Sequence, residues 1–194
     1  PMKKSESIPV LVSVFVALVA TAAECWAETT LAKDGAALLP VVSREDSEPA
    51  GELAKSLSRI SGAKFERIAG HDNDRPGIFV GTRDDFPKIN FPGIKELAVE
   101  EFVIRSEDGS LYLIGGGEPG VSHAVFTLLR ELGCRWFFPG DVWEEIPSLP
   151  TLSGSWDIRA KPDFPLGRRI WYGFGAYAKN KEDWENWNRH NRMG

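Results

Sequence analysis

This chain has no excess of positive charge and few cysteine and histidine residues, and each of these features excludes a class of function. The 194 residues carry 23 Lys and Arg against 28 Asp and Glu, a formal net charge of −5. Proteins that bind nucleic acid usually have an excess of basic residues, so this charge balance does not indicate nucleic-acid binding. The three histidines and two cysteines stand apart, without a His-Glu-x-x-His run or a Cys/His cluster. The sequence therefore predicts no metal site.

The first 27 residues have the pattern of a secretory signal peptide. Lys3 and Lys4 precede a mostly apolar run over residues 8–23, and small residues follow. This order predicts export, and the run is shorter than the roughly 20 apolar residues of a membrane span. We expect cleavage after Ala27, or alternatively after Ala23. The mature protein would then be secreted or periplasmic and free of the membrane.

Cys25 lies near the expected cleavage point. A lipid anchor on Cys25 needs a small residue before it, where Glu24 stands, so the sequence disfavours an anchor. If Cys25 leaves with the signal peptide, Cys134 is alone and no internal disulfide can form. The apolar neighbours of Cys134, Leu132 and Trp136, predict a buried thiol.

Residues 28–150 are predicted to form one α/β domain, with a mixed sheet and two main helices packed on it. Asp108 and Gly109 are a strong two-residue hairpin signal between apolar runs. Residues 28–36 are interpreted as a loose terminus, and the stretch 84–97 has no regular pattern. Strands are expected at residues 37–42, 64–68, 77–81, 101–105, 111–114 and 135–138.

Two segments have the apolar spacing of amphipathic helices. The first follows a capping residue, Ser47, and ends at Gly62. The second runs from about Pro119 to Leu132, and Gly133 ends it. Its apolar stripe consists of Val121, Ala124, Val125, Leu128, Leu129 and Leu132. Such stripes predict that both helices pack on the sheet.

Repeated prolines predict that residues 151–167 link this domain to a second unit, residues 168–194. The second unit has a candidate strand at residues 169–172 and a candidate helix at residues 180–193, capped by Asn180. A strand followed by a helix is how a (β/α) barrel begins. The expected fold class is therefore α/β, or α+β, with the mixed sheet and its two helices followed by the start of a barrel.

A glycine pattern, Gly115-x-Gly117-x-x-Gly120, matches the fingerprint of a dinucleotide site. It follows a strand and opens a helix, and Asp141 lies about twenty residues on. Glu118, however, would put a negative charge beside the phosphates, and the preceding strand belongs to a tight hairpin. We therefore interpret the glycines as a turn that lets helix and sheet pack closely, and we expect no cofactor.

The carboxylates form no evident catalytic pair. Glu144 and Glu145 are neighbours, and adjacent strand residues point to opposite faces. They cannot jointly flank a glycosidic bond, whose two acids stand about 5 to 9.5 Å apart. We therefore interpret them as solvated and name no catalytic residue.

The polar and aromatic tail has groups that suit sugars. Trp184 and Trp187 lie three apart on the last predicted helix. Aromatic faces, amides and guanidinium groups suit sugar hydroxyls and carboxylates, although the tryptophans could instead pack the helix on the rest of a barrel. The candidate sugar-binding residues are Arg168, Arg169, Asn191 and Arg192.

Several runs of the chain occur in a recognisable order. They are Glu52-Leu53-Ala54, Ile60-Ser61-Gly62, Gly77-Ile78-Phe79-Val80-Gly81, Glu101-Phe102-Val103-Ile104-Arg105, Leu113-Ile114-Gly115-Gly116, Ala124-Val125-Phe126-Thr127-Leu128-Leu129 and Leu132-Gly133-Cys134-Arg135-Trp136-Phe137-Phe138-Pro139-Gly140. Together they resemble the N-terminal domain of α-glucuronidases of glycoside hydrolase family 67. The resemblance covers residues 37 to about 150, and the last run is its most specific part.

This resemblance implies an α/β accessory domain, also found before the barrel of β-hexosaminidases, with the catalytic acids elsewhere. In those hexosaminidases a Pro-x-Phe-x-x-Arg run opens the barrel, and its arginine grips sugar hydroxyls. Here Pro162-Asp163-Phe164 is followed by Arg168 and Arg169, one or two positions late. The resemblance therefore points to one of these two arginines without choosing between them.

The expected function is the accessory N-terminal part of a secreted carbohydrate-active protein. The intact protein would be a glycoside hydrolase, similar to an α-glucuronidase, that acts on polysaccharide fragments. Its partner would be a poly- or oligosaccharide. The alternative is a non-catalytic carbohydrate-binding or surface protein, and an exported oxidoreductase is more distant. Because it lacks an acid pair, the chain itself is expected to be inactive.

Overall fold

The computed structural model describes residues 28–71, 74–164, 168 and 180–193. The strands are β1 (Thr29–Lys33), β2 (Ala36–Ala37), β3 (Val41–Ser43), β4 (Arg67–Ala69), β5 (Ile78–Thr82), β6 (Phe102–Glu107), β7 (Ser110–Gly115), β8 (Arg135–Trp136), β9 (Glu144–Glu145), β10 (Leu152–Gly154) and β11 (Asp157–Ala160). The helices are α1 (Glu48–Ser61), α2 (Glu118–Glu131) and α3 (Lys181–His190). The predicted signal peptide and the predicted strand at residues 169–172 lie outside the described residues.

A mixed sheet of six strands organises the domain, in the order β11-β6-β7-β5-β3-β4. β3, β4, β5 and β7 are parallel, whereas β6 and β11 run antiparallel to their neighbours. The β6–β7 hairpin turns at Asp108 and Gly109, whose φ angles are 50° and 72°. Two successive positive φ angles are what a type I′ turn requires. The predicted hairpin and the mixed sheet are confirmed.

The first predicted helix is confirmed at both ends as α1. Ser47 Oγ accepts a hydrogen bond from the backbone N–H of Ala50 at 3.4 Å, so it caps a donor that has no partner within the helix. Gly62 has a φ of 73° and donates to the carbonyl of Ser58, the usual left-handed end of a helix. The apolar part of the buried face consists of Ala50, Leu53, Ala54, Leu57 and Ile60.

The second predicted helix is confirmed as α2, and it packs on the same face of the sheet as α1. α2 begins at Glu118, and Leu128 in the predicted stripe is fully buried. The sheet residues on that face are Ile78, Val80, Leu111 and Leu113. The intervening residues, Phe79, Tyr112 and Ile114, pack on the opposite face against Phe86, Ile89, Phe91 and Ile94. The irregular stretch 84–97 thus covers the second face of the sheet.

The observed strands at the two ends of the domain differ from those expected from the sequence. Residues 28–36 are not loose, because β1 pairs with both β10 and β2. Within the stretch 151–167, predicted to be a linker, β10 pairs with β1 and β11 extends the central sheet beside β6. The strand expected at residues 37–42 is replaced by β2 and β3, on either side of Pro40. β10 and β11 pair with strands that are distant in sequence, which local patterns do not reveal. β1 and β2 instead form a local hairpin around Asp34 and Gly35, whose φ angles are 51° and 76°. This Asp-Gly turn is a sequence signal that the interpretation of a loose terminus did not use.

The helix expected at residues 180–193 is confirmed as α3, but its predicted cap is wrong. The side chain of Asn180 makes no capping hydrogen bond, so the first turn lacks the predicted reciprocal pair with Asp183. A helix here is consistent with the start of a barrel. Among the described residues, no helix is long and apolar enough to cross a membrane.

Candidate functional site

α3 packs on the domain through aromatic side chains of α2 and β8. Trp187 Nε1 donates to the carbonyl of Trp136 at 3.1 Å. The ring centroid of His190 lies 4.8 Å from that of Phe126 and 4.7 Å from that of Trp136. Burial lowers the pKa of His190 to about 4, so the imidazole is neutral near pH 7 and packs as an aromatic ring. Trp187 therefore has the packing role that the sequence offered as one alternative.

Arg168 is held by a carboxylate of the domain. Its Nη2 lies 2.6 Å from Glu100 Oε1, and the two side chains keep only 17% and 11% of their exposure. Its Nε donates to the carbonyl of Arg192 at 3.2 Å, and Nη1 donates to the carbonyl of Phe164. A second carboxylate could bind this guanidinium in full only by displacing Glu100, which would leave a buried charge unpaired.

Asn191 and Arg192 follow the end of α3 and are also bonded to the domain. Asn191 Nδ2 donates to the carbonyl of Trp136 at 3.2 Å, and Arg192 Nη1 donates to Thr127 Oγ1 at 3.0 Å. Burial lowers the pKa of Arg192, but an arginine keeps its charge in proteins. Arg192 has a φ of 56°, in a region that side chains other than glycine rarely adopt.

Three of the four predicted site residues lie around one cavity of about 310 Å³. Arg168, Asn191 and Arg192 line it, and the exposed Lys161 completes its basic side. Asp163 also lines the cavity and Arg168 is paired with Glu100, so attraction of an anionic group would depend on Arg192 and Lys161. Arg169, the fourth candidate, lies outside the described residues.

Glu100 and His123 belong to this region, although the sequence did not single them out as site residues. His123 is 6% exposed, and its Nδ1 lies 3.3 Å from the carbonyl oxygen of Glu100. Burial lowers the pKa of His123. Glu100 belongs to the site because it pairs with Arg168, which lies 68 residues later in the chain. No local pattern marks such a pair, so sequence reasoning had no signal for it.

The glycine turn before α2 is filled by protein backbone. Gly120 N donates to the carbonyl of Val99 at 3.2 Å, and Gly116 N donates to the carbonyl of Glu101 at 2.9 Å. A Cβ on Gly120 would lie 2.5 Å from Glu101 O, and one on Gly116 would overlap Ala98 O. This geometry agrees with a turn for close packing, because donors that would hold a pyrophosphate are already used.

The remaining polar candidates have structural partners. Glu144 lies 2.9 Å from Arg59, which corrects the expectation that it is solvated, whereas Glu145 is exposed. Cys134 is fully buried, as predicted, and burial raises the pKa of its thiol to about 11. A thiol in this state is unreactive near pH 7. In the part of the chain that the structure describes, no group of His, Cys, Asp and Glu residues could hold a metal ion.

Comparison with known proteins relates the fold to a solved enzyme structure. No protein-family model and no curated protein matches the chain. The chain is similar to a family GH115 4-O-methyl-α-glucuronidase with specificity for decorated arabinogalactans, with a TM-score of 0.60 and 18% sequence identity. The match covers 86% of this chain and 25% of that enzyme. At this identity it shows a shared, glycoside hydrolase-like fold.

A second similar structure is a GH20 exo-β-N-acetylglucosaminidase from Vibrio harveyi. Its TM-score is 0.42 at 17% identity, over 72% of this chain and 18% of that one. Both matches span only a small part of the longer protein. The chain spans about a quarter of the length of the GH115 enzyme.

Proposed function

We propose that this chain is the accessory N-terminal part of a secreted or periplasmic carbohydrate-active protein. The intact protein would be a glycoside hydrolase similar to an α-glucuronidase, acting on polysaccharide fragments. The observation that carries the proposal is the fold shared with a 4-O-methyl-α-glucuronidase, with a TM-score of 0.60 over 86% of this chain. The resemblance of residues 37 to about 150 to family 67 N-terminal domains supports it from the sequence.

Catalysis would lie outside the described residues. Within the described residues, several half-buried or buried carboxylates already form ion pairs with arginines. Glu101 lies 2.8 Å from Arg159, Glu144 lies 2.9 Å from Arg59, and Glu100 is held by its own arginine. A glycosidase needs one carboxyl group that donates a proton and a second that attacks or activates water. Carboxylates locked in ion pairs are poorly suited to either role.

Activity of the intact protein tests the proposal. We expect it to release uronic acid or sugar from xylan- or arabinogalactan-derived oligosaccharides, whereas residues 28–194 alone release none. Binding of these saccharides without release would favour the alternative, a non-catalytic carbohydrate-binding protein. An intact protein that neither binds nor cleaves them would contradict the proposal.

The proposed export has a separate test. The charged, apolar and small-residue order of residues 1–27 supports cleavage by a signal peptidase. N-terminal sequencing of the protein from the medium or periplasm of a bacterial host should give residue 28, or residue 24, as the first residue. A protein retained in the cytoplasm with residues 1–27 attached would contradict export.

We also propose that at least one of the four tail residues lines the sugar site of the intact protein. The internal contacts of Arg168, Asn191 and Arg192 support the competing role, in which they join the domain to the following unit. Single alanine variants of these three and of Arg169 separate the roles. A site residue loses catalysis or sugar affinity with little change in melting temperature. If all four variants lose only stability, the site assignment fails.

A further inference from the structure

The β8–β9 hairpin presents two aromatic rings to solvent. Phe138 and Trp143 are 60% and 51% exposed, and their ring centroids lie 5.4 Å apart at an interplanar angle of 60°. Phe137, the neighbour of Phe138, is 56% exposed but lies on a different surface, beside Arg130 and Arg135. Clustered exposed aromatic side chains commonly mark a binding surface.

Phe138 forms one wall of a cleft of about 280 Å³ between α1, the hairpin and α3. Asp141, Asp183, Asn186 and Lys55 contribute polar groups to the cleft. Carboxylates, an amide and an ammonium group can donate and accept hydrogen bonds with sugar hydroxyls. An aromatic face provides a flat apolar surface for the ring carbons of a sugar. The volume is just below the range of about 300 to 1,000 Å³ of small-molecule sites, which suits a short saccharide.

The charges of the cleft favour a neutral sugar over a uronate. Arg59, which also lines the cleft, is paired with Glu144 at 2.9 Å. His190 is neutral near pH 7, since burial lowers its pKa to about 4. The other charged lining groups are three acids and one base: Glu52, Asp141, Asp183 and Lys55. This excess of carboxylates in the cleft would repel the carboxylate of a uronate.

The cleft runs along α3, from Asp183 in the first turn to His190 at the end, and the hairpin contacts its N-terminal part. Asp183, in the first turn of α3, is close to the hairpin, because a Cβ on Gly140 would lie 3.9 Å from Asp183 Oδ2. In a (β/α) barrel each helix begins near the face where the strands end and where substrates bind. If α3 is the first barrel helix, the hairpin reaches that face.

We propose that Phe138, supported by Trp143, is a stacking platform for a neutral pyranose unit of the polysaccharide. This inference rests on the proposed function and deepens it, because the accessory domain would supply a sugar subsite beside the substrate face. Asp141 and Asn186 would bind the hydroxyls of the stacked ring from opposite sides of the cleft.

Paired alanine variants of the intact protein test this platform. Affinity for neutral xylo-oligosaccharides and galacto-oligosaccharides is measured by calorimetry for the wild type, Phe138→Ala and Phe137→Ala. Loss of one aromatic contact should weaken binding roughly threefold to tenfold for Phe138→Ala. Phe137→Ala, with the same chemical change at similar exposure, should leave the affinity within about twofold. Melting temperatures of both variants check that the protein remains folded.

The possible outcomes are distinct. Equal effects of the two substitutions would overturn the platform while leaving the proposed function in place. A Phe138→Ala protein with a lower melting temperature and unchanged affinity would show that the ring packs on the rest of the protein, which also overturns it. A wild-type protein that neither binds nor cleaves any of the saccharides would contradict the proposed function and this inference together.

Discussion

Leu128 offers the most direct test of the packing between helix and sheet. It is fully buried in α2, in the cluster that also contains Leu53 of α1 and Leu113 of β7. Leu128→Ala removes about three methylene equivalents, or about 2.4 kcal/mol of transfer free energy. The cavity left behind adds to this loss, so the free energy of unfolding should fall by about 2 to 5 kcal/mol.

The matched control is Leu38→Ala, the same chemical change at a side chain that is 53% exposed. It should cost at most about 1 kcal/mol, because most of the leucine already contacts water. Urea unfolding of residues 28–194, followed by tryptophan fluorescence, measures both. In a domain of this size 1 kcal/mol corresponds to roughly 2 to 4 °C, so a loss of about 3 kcal/mol in Leu128→Ala should lower the melting temperature by roughly 6 to 12 °C.

Equal unfolding midpoints for the two variants would refute the reasoning. They would mean that Leu128 does not face the sheet, and that the apolar stripe of α2 was assigned to the wrong side of the helix.

Three further predictions follow from the site and the glycine turn. Residues 28–194 should release no sugar from aryl glycosides or xylan-derived oligosaccharides. Any release by the pure chain would contradict the proposal that catalysis lies outside the described residues. The pKa of His190 falls from 6.5 to about 4 on folding, so the unfolded chain binds more protons in that window and stability should fall as the pH drops from about 6.5 to about 4. His190→Gln should reduce this slope in urea titrations, and an unchanged slope would show that His190 does not titrate as described. Gly116→Ala should prevent or strongly weaken folding, because its Cβ would overlap the carbonyl oxygen of Ala98. The control is Gly51→Ala, whose Cβ would meet only the flexible end of Arg67 at 3.3 Å. Similar melting temperatures for the two variants would contradict the close packing of the turn.

Features encoded within a few residues were predictable from the sequence. Ser47 and Gly62 bound α1 because a cap and a left-handed stop depend on local chemistry. The Asp108-Gly109 turn was predictable for the same reason. The edge strand β10 was not, because a short run such as residues 152–154 becomes a strand only when a distant partner supplies its hydrogen bonds.

The candidate site was less predictable than the fold. The sequence singled out Arg168, Asn191 and Arg192, and the structure brings all three to one cavity. The partners of these residues could not be predicted, because Glu100 and Arg168 are far apart in the sequence and pair only in the folded chain. The aromatic character of residues 138 and 143 was visible in the sequence, but their exposure depends on the hairpin that presents them to solvent.

The pairing of β1 with β10 also constrains when the domain can fold. Ser153 Oγ donates to Glu28 Oε1 at 2.6 Å, across 125 residues of chain. At a synthesis rate of about 5 to 20 residues per second, β1 would wait roughly 6 to 25 s for its partner strand to be made. During that interval the side of β1 that faces away from β2 is an unpaired strand edge, which chaperones or other chains can bind. A nascent chain stopped before residue 152 would keep this edge open permanently, so trimming the domain at its proline-rich end should impair folding of its opposite terminus.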